Sequence, residues 1–218
     1  MRIAIQASDL DHARIDGTRV YLLELLKRFG NLSIDDQFSL YHKQGFNPQL
    51  TPPKLPNYTV HTIPFPRAWM QTRFALEMYR DTPDKLFLPI QAAPVWLPQS
   101  IEVTATIHDL AWRRYPETFP STDRWKLDFM LGTVVRQANK LIAVSESTKR
   151  DLLEFFPHLD EGKIKVIHHG FDVKFFGTRL SREVLYEKLN RYKLTVDGYF
   201  LYVGALQPRK NLVRLIEA

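Results

Sequence analysis

Short apolar runs rich in β-branched residues recur through this chain, and neither a helical bundle nor a disordered chain accommodates them. They fall at Arg2–Ala7, Phe38–His42, Tyr58–Ile63, Lys85–Leu88, Val103–Ile107, Lys140–Val144, Lys163–Ile167 and Tyr199–Val203. Most are too short for helices and are bounded by Gly, Pro, Asp or Ser, so each predicts a strand. Helical periodicity fills several intervals between them. Leu22, Leu25, Leu26 and Phe29 follow the i, i+3, i+4, i+7 rule, as do Leu127, Met130, Leu131 and Val134. Met70, Phe74 and Met78 repeat every fourth residue, and Leu152, Leu153 and Phe156 fit one face of a helix after Ser145. Strands alternating with helices predict an α/β fold, a Rossmann-like parallel sheet with helices on both faces.

Two stretches interrupt this rhythm. Six of the 14 prolines lie between Pro48 and Pro66, a segment that predicts loop and edge strand. After Gly170, residues Phe171–Gly198 carry one helical pattern, Ser181–Arg191, and no good strand, as expected of a connector. A new strand, Tyr199–Val203, and a new helix, Pro208–Ala218, follow, and no Gly, Asn or Pro closes that helix. The expectation is therefore a first domain over 1–170, a connector over 171–198 and a truncated second domain over 199–218. The apolar face of that last piece is expected to favour a dimer.

Absent residues and motifs exclude several chemistries. With no cysteine, disulfides, thiolate catalysis and cysteine-bound zinc are ruled out. No G-x-G, no G-x-x-x-x-G-K-[ST] and no G-x-S-x-G occurs, which removes the dinucleotide fingerprint, the P-loop and the nucleophile elbow. The opening MRIAIQASDL lacks the basic and long apolar regions of a signal peptide, and no run approaches the ~18 apolar residues of a spanning helix. A cytoplasmic protein is expected, with peripheral contact at the inner face of the membrane. The net charge of +6 suits an anionic partner or a solvated basic surface. The basic residues are scattered without a recognition motif, so nucleic acid is not expected.

In an open parallel sheet, ligands bind beyond the carboxyl ends of the strands. Polar residues collect at those ends here: Gln6, Ser8 and Asp9; His108 and Asp109; Ser145, Glu146 and Ser147; His168, His169 and Gly170; and Gly204 through Lys210. Each also has a structural reading. Ser145 or Ser147 can cap the next helix, Gly17 can open the helix Thr18–Phe29, and His168 and His169 lack zinc-site spacing. His108 beside Asp109 is the pair best suited to handling a proton or hydroxyl. In Gly204–Asn211, Pro208 suits the first position of a helix, which puts Arg209 and Lys210 in the first turn, against the helix dipole. An anion held there or two solvated charges both fit.

The segments TATIHDLAWRRYPETFP at Thr104–Pro120, LIAVSESTKRDL at Leu141–Leu152, KIKVIHHGFD at Lys163–Asp172 and YFLYVGALQPRKNL at Tyr199–Leu212 come in a telling order. In that order they resemble family 4 of the retaining glycosyltransferases, whose GT-B arrangement has two Rossmann-like domains facing a cleft. The resemblance implies an acceptor-side domain at 1–170 and the start of a donor-binding domain at 199–218. It implies His108, with Asp109, beside the transferred sugar, and Gly17 with Thr18 near the donor phosphates. Lys210, with Arg209 and Gly204 beside it, is implied for the diphosphate; Ser8, Asp9, Glu146 and His169, from the polar clusters at the strand ends, are expected on the acceptor side. Two positions depart from the family pattern: Ala205 where many members have Arg, and Arg19 where many have a second Gly.

The implied reaction moves a hexose from a nucleoside diphosphate sugar to a glycan or lipid-linked hydroxyl, with no cofactor and no metal. A fragment of such an enzyme is expected to be inactive alone. Pro66–Arg73 and Trp112–Tyr115, which mix basic and aromatic residues, suit either core packing or contact with a membrane-borne acceptor. The alternative is a non-catalytic carbohydrate- or lipid-binding module.

Overall fold

The computed structural model describes residues 1–218, which form two compact units, Met1–His169 and Gly170–Ala218. The first unit holds seven strands: β1 (Arg2–Gln6), β2 (Gln37–His42), β3 (Tyr58–Thr62), β4 (Lys85–Leu88), β5 (Glu102–Ile107), β6 (Lys140–Ala143) and β7 (Ile164–Val166). All pair in parallel in the order β3-β2-β1-β4-β5-β6-β7. Its helices are α1 (Gly17–Leu32), α2 (Ala75–Asp81), α3 (Ala111–Arg114), α4 (Ser121–Gln137) and α5 (Glu146–Phe155). A five-residue π-helical turn, Met70–Phe74, leads into α2.

Side chains alternate across a strand, so the sheet builds two cores. Ala4, Leu86, Leu88, Val103, Ala105, Ile107, Leu141 and Ala143 face Phe74, Met78, Leu131, Val134 and Leu152 from the α2, α4 and α5 side. Ile5, Phe38, Leu40 and Phe87 face Leu22, Leu23 and Leu26 of α1 on the other. Helices therefore cover both faces, as the alternating pattern predicts. The proline-rich segment forms loop and the edge strand β3. Trp69 and Trp112 are buried, and their indole N–H groups donate to the Ile63 carbonyl at 2.7 Å and to Asp128 at 2.8 Å. Arg113 pairs with Asp128, and Arg114 with Asp151 and Glu154. The two tryptophans of these aromatic segments thus pack in the core, while Tyr115 is half exposed.

The second unit contains α6 (Val173–Gly177), α7 (Arg182–Asn190) and α8 (Leu212–Glu217). The helix expected over Ser181–Arg191 forms, with the Ser181 side chain capping the Val184 N–H. Two expectations need correction. Tyr199–Val203 is not a strand, because its unit offers no second strand whose backbone could pair with it. The helix expected from Pro208 is broken: Pro208–Lys210 is a 3-10 turn, and Asn211 adopts a left-handed φ of 52° before α8 begins. Asn tolerates that conformation better than most residues. Arg209 and Lys210 consequently precede the α-helix and do not lie in its first turn.

Candidate functional site

The strand order reverses at β1. The chain adds β2 and β3 on one side of it, then crosses to add β4 through β7 on the other. The crevice beyond the carboxyl ends of β1 and β4 is where such sheets bind ligands, because the connections leave the two strands in opposite directions. Gln6, Ser8, α1 and His108 all lie on strand ends or connections at this edge.

β1 ends in the buried Gln6, whose amide donates to the Ser8 hydroxyl at 2.5 Å. Gln6 Oε1 and Asp9 Oδ2 are buried and have no hydrogen-bond donor within the protein. Burial pushes the Asp9 pKa up, against the opposing attraction of Arg19. The Arg19 guanidinium donates to the Asp9 carbonyl at 3.1 Å and forms an ion pair with Asp16. Asp16 is the N-cap of α1 and accepts from the Thr18 hydroxyl at 2.8 Å and from the Arg19 N–H at 3.4 Å. Burial works against the Asp16 carboxylate, but those bonds and the Arg19 charge bring its pKa below the usual value. Arg19, which occupies the position where many family members have Gly, therefore braces the loop rather than opening it. The backbone N–H groups of Gly17 and Thr18 have no acceptor within the protein, and a Cβ on Gly17 would meet nothing within 4 Å. An anion can reach this helix end.

Across the crevice three rings meet. Tyr21 of α1 contacts His108 edge-on at 5.2 Å between centroids and His169 at 4.8 Å, and the two imidazoles stack at 5.5 Å. The Tyr21 hydroxyl pairs with the buried Thr106 hydroxyl at 3.1 Å. His108 Nε2 lies 2.8 Å from the Pro89 carbonyl oxygen. A carbonyl only accepts, so Nε2 carries the proton and the neutral ring keeps Nδ1 as an acceptor. The His108 backbone is held at both ends, its N–H donating to Gln91 at 3.2 Å and its carbonyl accepting from Thr148 at 3.3 Å. Burial, and then the neighbouring His108, lower the His169 pKa. His168, one residue earlier, faces the Val144 carbonyl through Nδ1 at 3.2 Å.

The other predicted residues are placed differently. The Asp109 carboxylate accepts from the Ala111 N–H at 3.0 Å, so it serves the turn into α3. Ser145 caps α5 through the Thr148 N–H at 3.1 Å, and Glu146, the first residue of that helix, is exposed. Gly204, Arg209 and Lys210 belong to the second unit, where the Arg209 guanidinium donates to Gln207 at 2.9 Å. No three His, Asp or Glu side chains gather closely enough to hold a metal ion. Tyr21, Thr106, Gln91 and Thr148 were not foreseen. Tyr21 precedes the apolar stripe of α1 by one residue, and nothing in its spacing separates it from a packing aromatic.

Residues 15–175 match Glycosyltransferase Family 4. The chain belongs to this family. Gly17, Thr18, His108, Asp109, Glu146 and His169 lie inside the matched span; Ser8, Asp9, Gly204, Arg209 and Lys210 lie outside it. The O-antigen chain mannosyltransferase B of Escherichia coli is 26% identical over 124 residues, which are 56% of this chain and 32% of that protein. Among solved structures, Anabaena Alr3699/HepE, determined with UDP and glucose, matches with a TM-score of 0.55 at 15% identity, over 88% of this chain and 50% of that one. The lipopolysaccharide outer core galactosyltransferase WaaB, in its apo form, matches with a TM-score of 0.49 at 13% identity, over 79% of this chain and 47% of that one. The chain thus spans about a third of the curated relative and half of the Anabaena structure. The family is glycosyl-transferring, and the Rossmann-like α/β fold is the one seen in its GT-B members.

Proposed function

We propose that this family 4 chain supplies the acceptor-side part of a retaining enzyme that moves a hexose from a nucleoside diphosphate sugar to a glycan or lipid-linked hydroxyl. The observation that carries the reading is the pairing, at one sheet edge, of a free helix N-terminus with the Tyr21–His108–His169 ring cluster. The free N–H groups of Gly17 and Thr18 suit a phosphate oxygen. In the neutral tautomer the Pro89 contact puts the His108 proton on Nε2, and Nδ1 is then the nitrogen that accepts a hydrogen bond from a hydroxyl of the transferred sugar. Holding that sugar against fixed partners supplies orientation.

The acceptor oxygen bonds to the anomeric carbon as the bond from that carbon to the diphosphate oxygen breaks. The acceptor proton leaves with the departing phosphate oxygen, and configuration is retained. Negative charge grows on the diphosphate, and Arg209 and Lys210 are the cations we assign to it. Asp9, Ser8, His169 and Glu146 are read as lining the acceptor side, and Asp109 as holding the turn that fixes His108. The donor is a substrate, and the reading requires no resident cofactor. Residues 1–218 alone are read as incomplete for turnover, consistent with their covering half of the Anabaena structure.

The test is to incubate the full-length protein with nucleoside diphosphate hexoses and a hydroxyl acceptor, and to follow the anomeric proton of the first product by NMR. A glycoside with the donor's own anomeric configuration is expected. An inverted product removes the retaining assignment, and binding without any product favours the carbohydrate- or lipid-binding module instead.

A further inference from the structure

The connection between β4 and β5, residues 89–101, is held mainly by side chains. Pro89, Pro94 and Pro98 have no N–H to give. The segment makes two backbone hydrogen bonds of its own, from the Ala92 N–H to the Ile90 carbonyl at 2.9 Å and from the Ile101 N–H to the Pro98 carbonyl at 3.2 Å. Three glutamines add the rest. Gln71, in the π-helical turn before α2, donates to the Ala93 carbonyl at 2.9 Å and accepts from the Val95 N–H at 2.7 Å. Gln137, the last residue of α4, donates to the Val95 carbonyl. These two tie down the middle of the connection, beside the buried Ala92, Ala93 and Leu97.

Gln91 acts elsewhere. The β4–β5 ladder ends at the pair Leu88 and Ala105, although β5 runs on to Ile107. Past it, the His108 N–H and the Asp109 carbonyl have no backbone partner. The Gln91 amide serves both: its Oε1 accepts from the His108 N–H at 3.2 Å, and its Nε2 donates to the Asp109 carbonyl at 3.3 Å. One side chain thus takes the place of a peptide group in a neighbouring strand. Glutamine suits the task, since an ionised Glu has no donor and Asn is one methylene shorter. Two residues earlier, the Pro89 carbonyl oxygen lies 2.8 Å from His108 Nε2. Backbone and ring of His108 are therefore both gripped from residues 89–91, while Tyr21 and His169 flank the ring.

We infer that Gln91 is a positioning residue for sugar transfer: by clamping His108 and Asp109 it keeps the His108 ring against the Pro89 carbonyl, which leaves Nδ1 for the sugar hydroxyl. This rests on the reading of His108 as the group that meets the transferred sugar. Gln91 touches no reacting atom in that reading and acts through His108. Without the clamp the end of β5 is free to shift, and the ring parts from Pro89. A displacement of about 1 Å in a group that orients a substrate is enough to cost about a hundred-fold in rate.

Two measurements on the full-length protein test it. In proton–nitrogen NMR the His108 ring N–H, bonded to a carbonyl, should give a signal that exchanges slowly with water, assigned by its absence from His108→Ala. Gln91→Ala should lose that signal, and its kcat with donor sugar and acceptor should fall about ten- to a hundred-fold with the donor KM little changed. Gln91→Glu keeps the length of the side chain and the acceptor for the His108 N–H. It should weaken both readouts to a smaller extent, and it carries the test if Gln91→Ala misfolds. Gln71→Ala loosens the same connection away from His108, so it should lower the melting midpoint yet keep the ring signal. A wild-type ring signal that is absent, or one retained in both Gln91 variants, overturns the inference. Equal loss of the signal in Gln71→Ala overturns it too, as does unchanged turnover once the signal is lost. Undiminished turnover in His108→Ala, with the ring signal still dependent on Gln91, overturns the sugar-site reading instead, and with it the part of Gln91 in transfer.

Discussion

At the scale of single residues, the site is shaped by acceptor atoms that lack donors. The Asp9 carboxyl is held where ionisation is unfavourable, chiefly because of burial. Its folded-state pKa lies above its ordinary value of 3.8, so the folded protein binds more protons than the unfolded one between the two values. Stability is therefore lost as pH rises through that window, and ionised Asp9 is a net cost at neutral pH. Asp9→Asn should raise the melting midpoint at neutral pH, with the gain vanishing below about 3.8, where the acid is protonated in both states. A thermal melt series across pH checks this, and a neutral-pH midpoint equal to wild type would contradict it. His108 and Asp109 were legible as a pair because a His–Asp dipeptide ends a strand. Their separate duties were not: they depend on the Pro89 carbonyl and the Ala111 N–H, partners that only the folded chain supplies.

At the scale of elements, α1 shows what spacing reveals and what it hides. Its apolar stripe predicted the helix and its buried face, and Asp16 adds the side-chain cap that fixes where it starts. Its two glycines look alike in sequence but differ in surroundings. A Cβ on Gly30 would lie 2.6 Å from Leu55 Cδ1 and 2.8 Å from Tyr58 Cε1, whereas Gly17 faces open space. Gly30→Ala should therefore cost about 1–3 kcal/mol through overpacking, while Gly17→Ala should leave stability nearly unchanged. Denaturant titration of both variants decides it, and equal midpoints would contradict the packing account. The failures of sequence reading have the same origin. Tyr199–Val203 has the composition of a strand, but a strand exists only with a neighbour to bond. Asn211 is a weak helix former that tolerates a left-handed backbone, and by adopting one it ends one turn before the next begins.

At the scale of the whole molecule, the first unit carries the sheet and its two cores, while no element of the second unit contains a buried residue. That unit exposes Phe171, Phe175, Phe176, Phe200, Leu201 and Val203, an apolar content that composition alone would have assigned to a core. The parallel α/β architecture was readable because alternation of periods leaves few topologies. The exposed aromatic face of α4 was not, because Trp125 and Phe129 at i, i+4 spell an ordinary helix face until the direction of the core is known. The central claim is that sugar transfer depends on the cleft where Tyr21, His108 and His169 meet. Its most direct test is the rate of nucleoside diphosphate release by the full-length protein with donor sugar and acceptor, wild type against His108→Ala. A loss of about a hundred-fold or more in kcat, with the folded state intact by circular dichroism, is the predicted result; turnover within a few-fold of wild type would contradict the account.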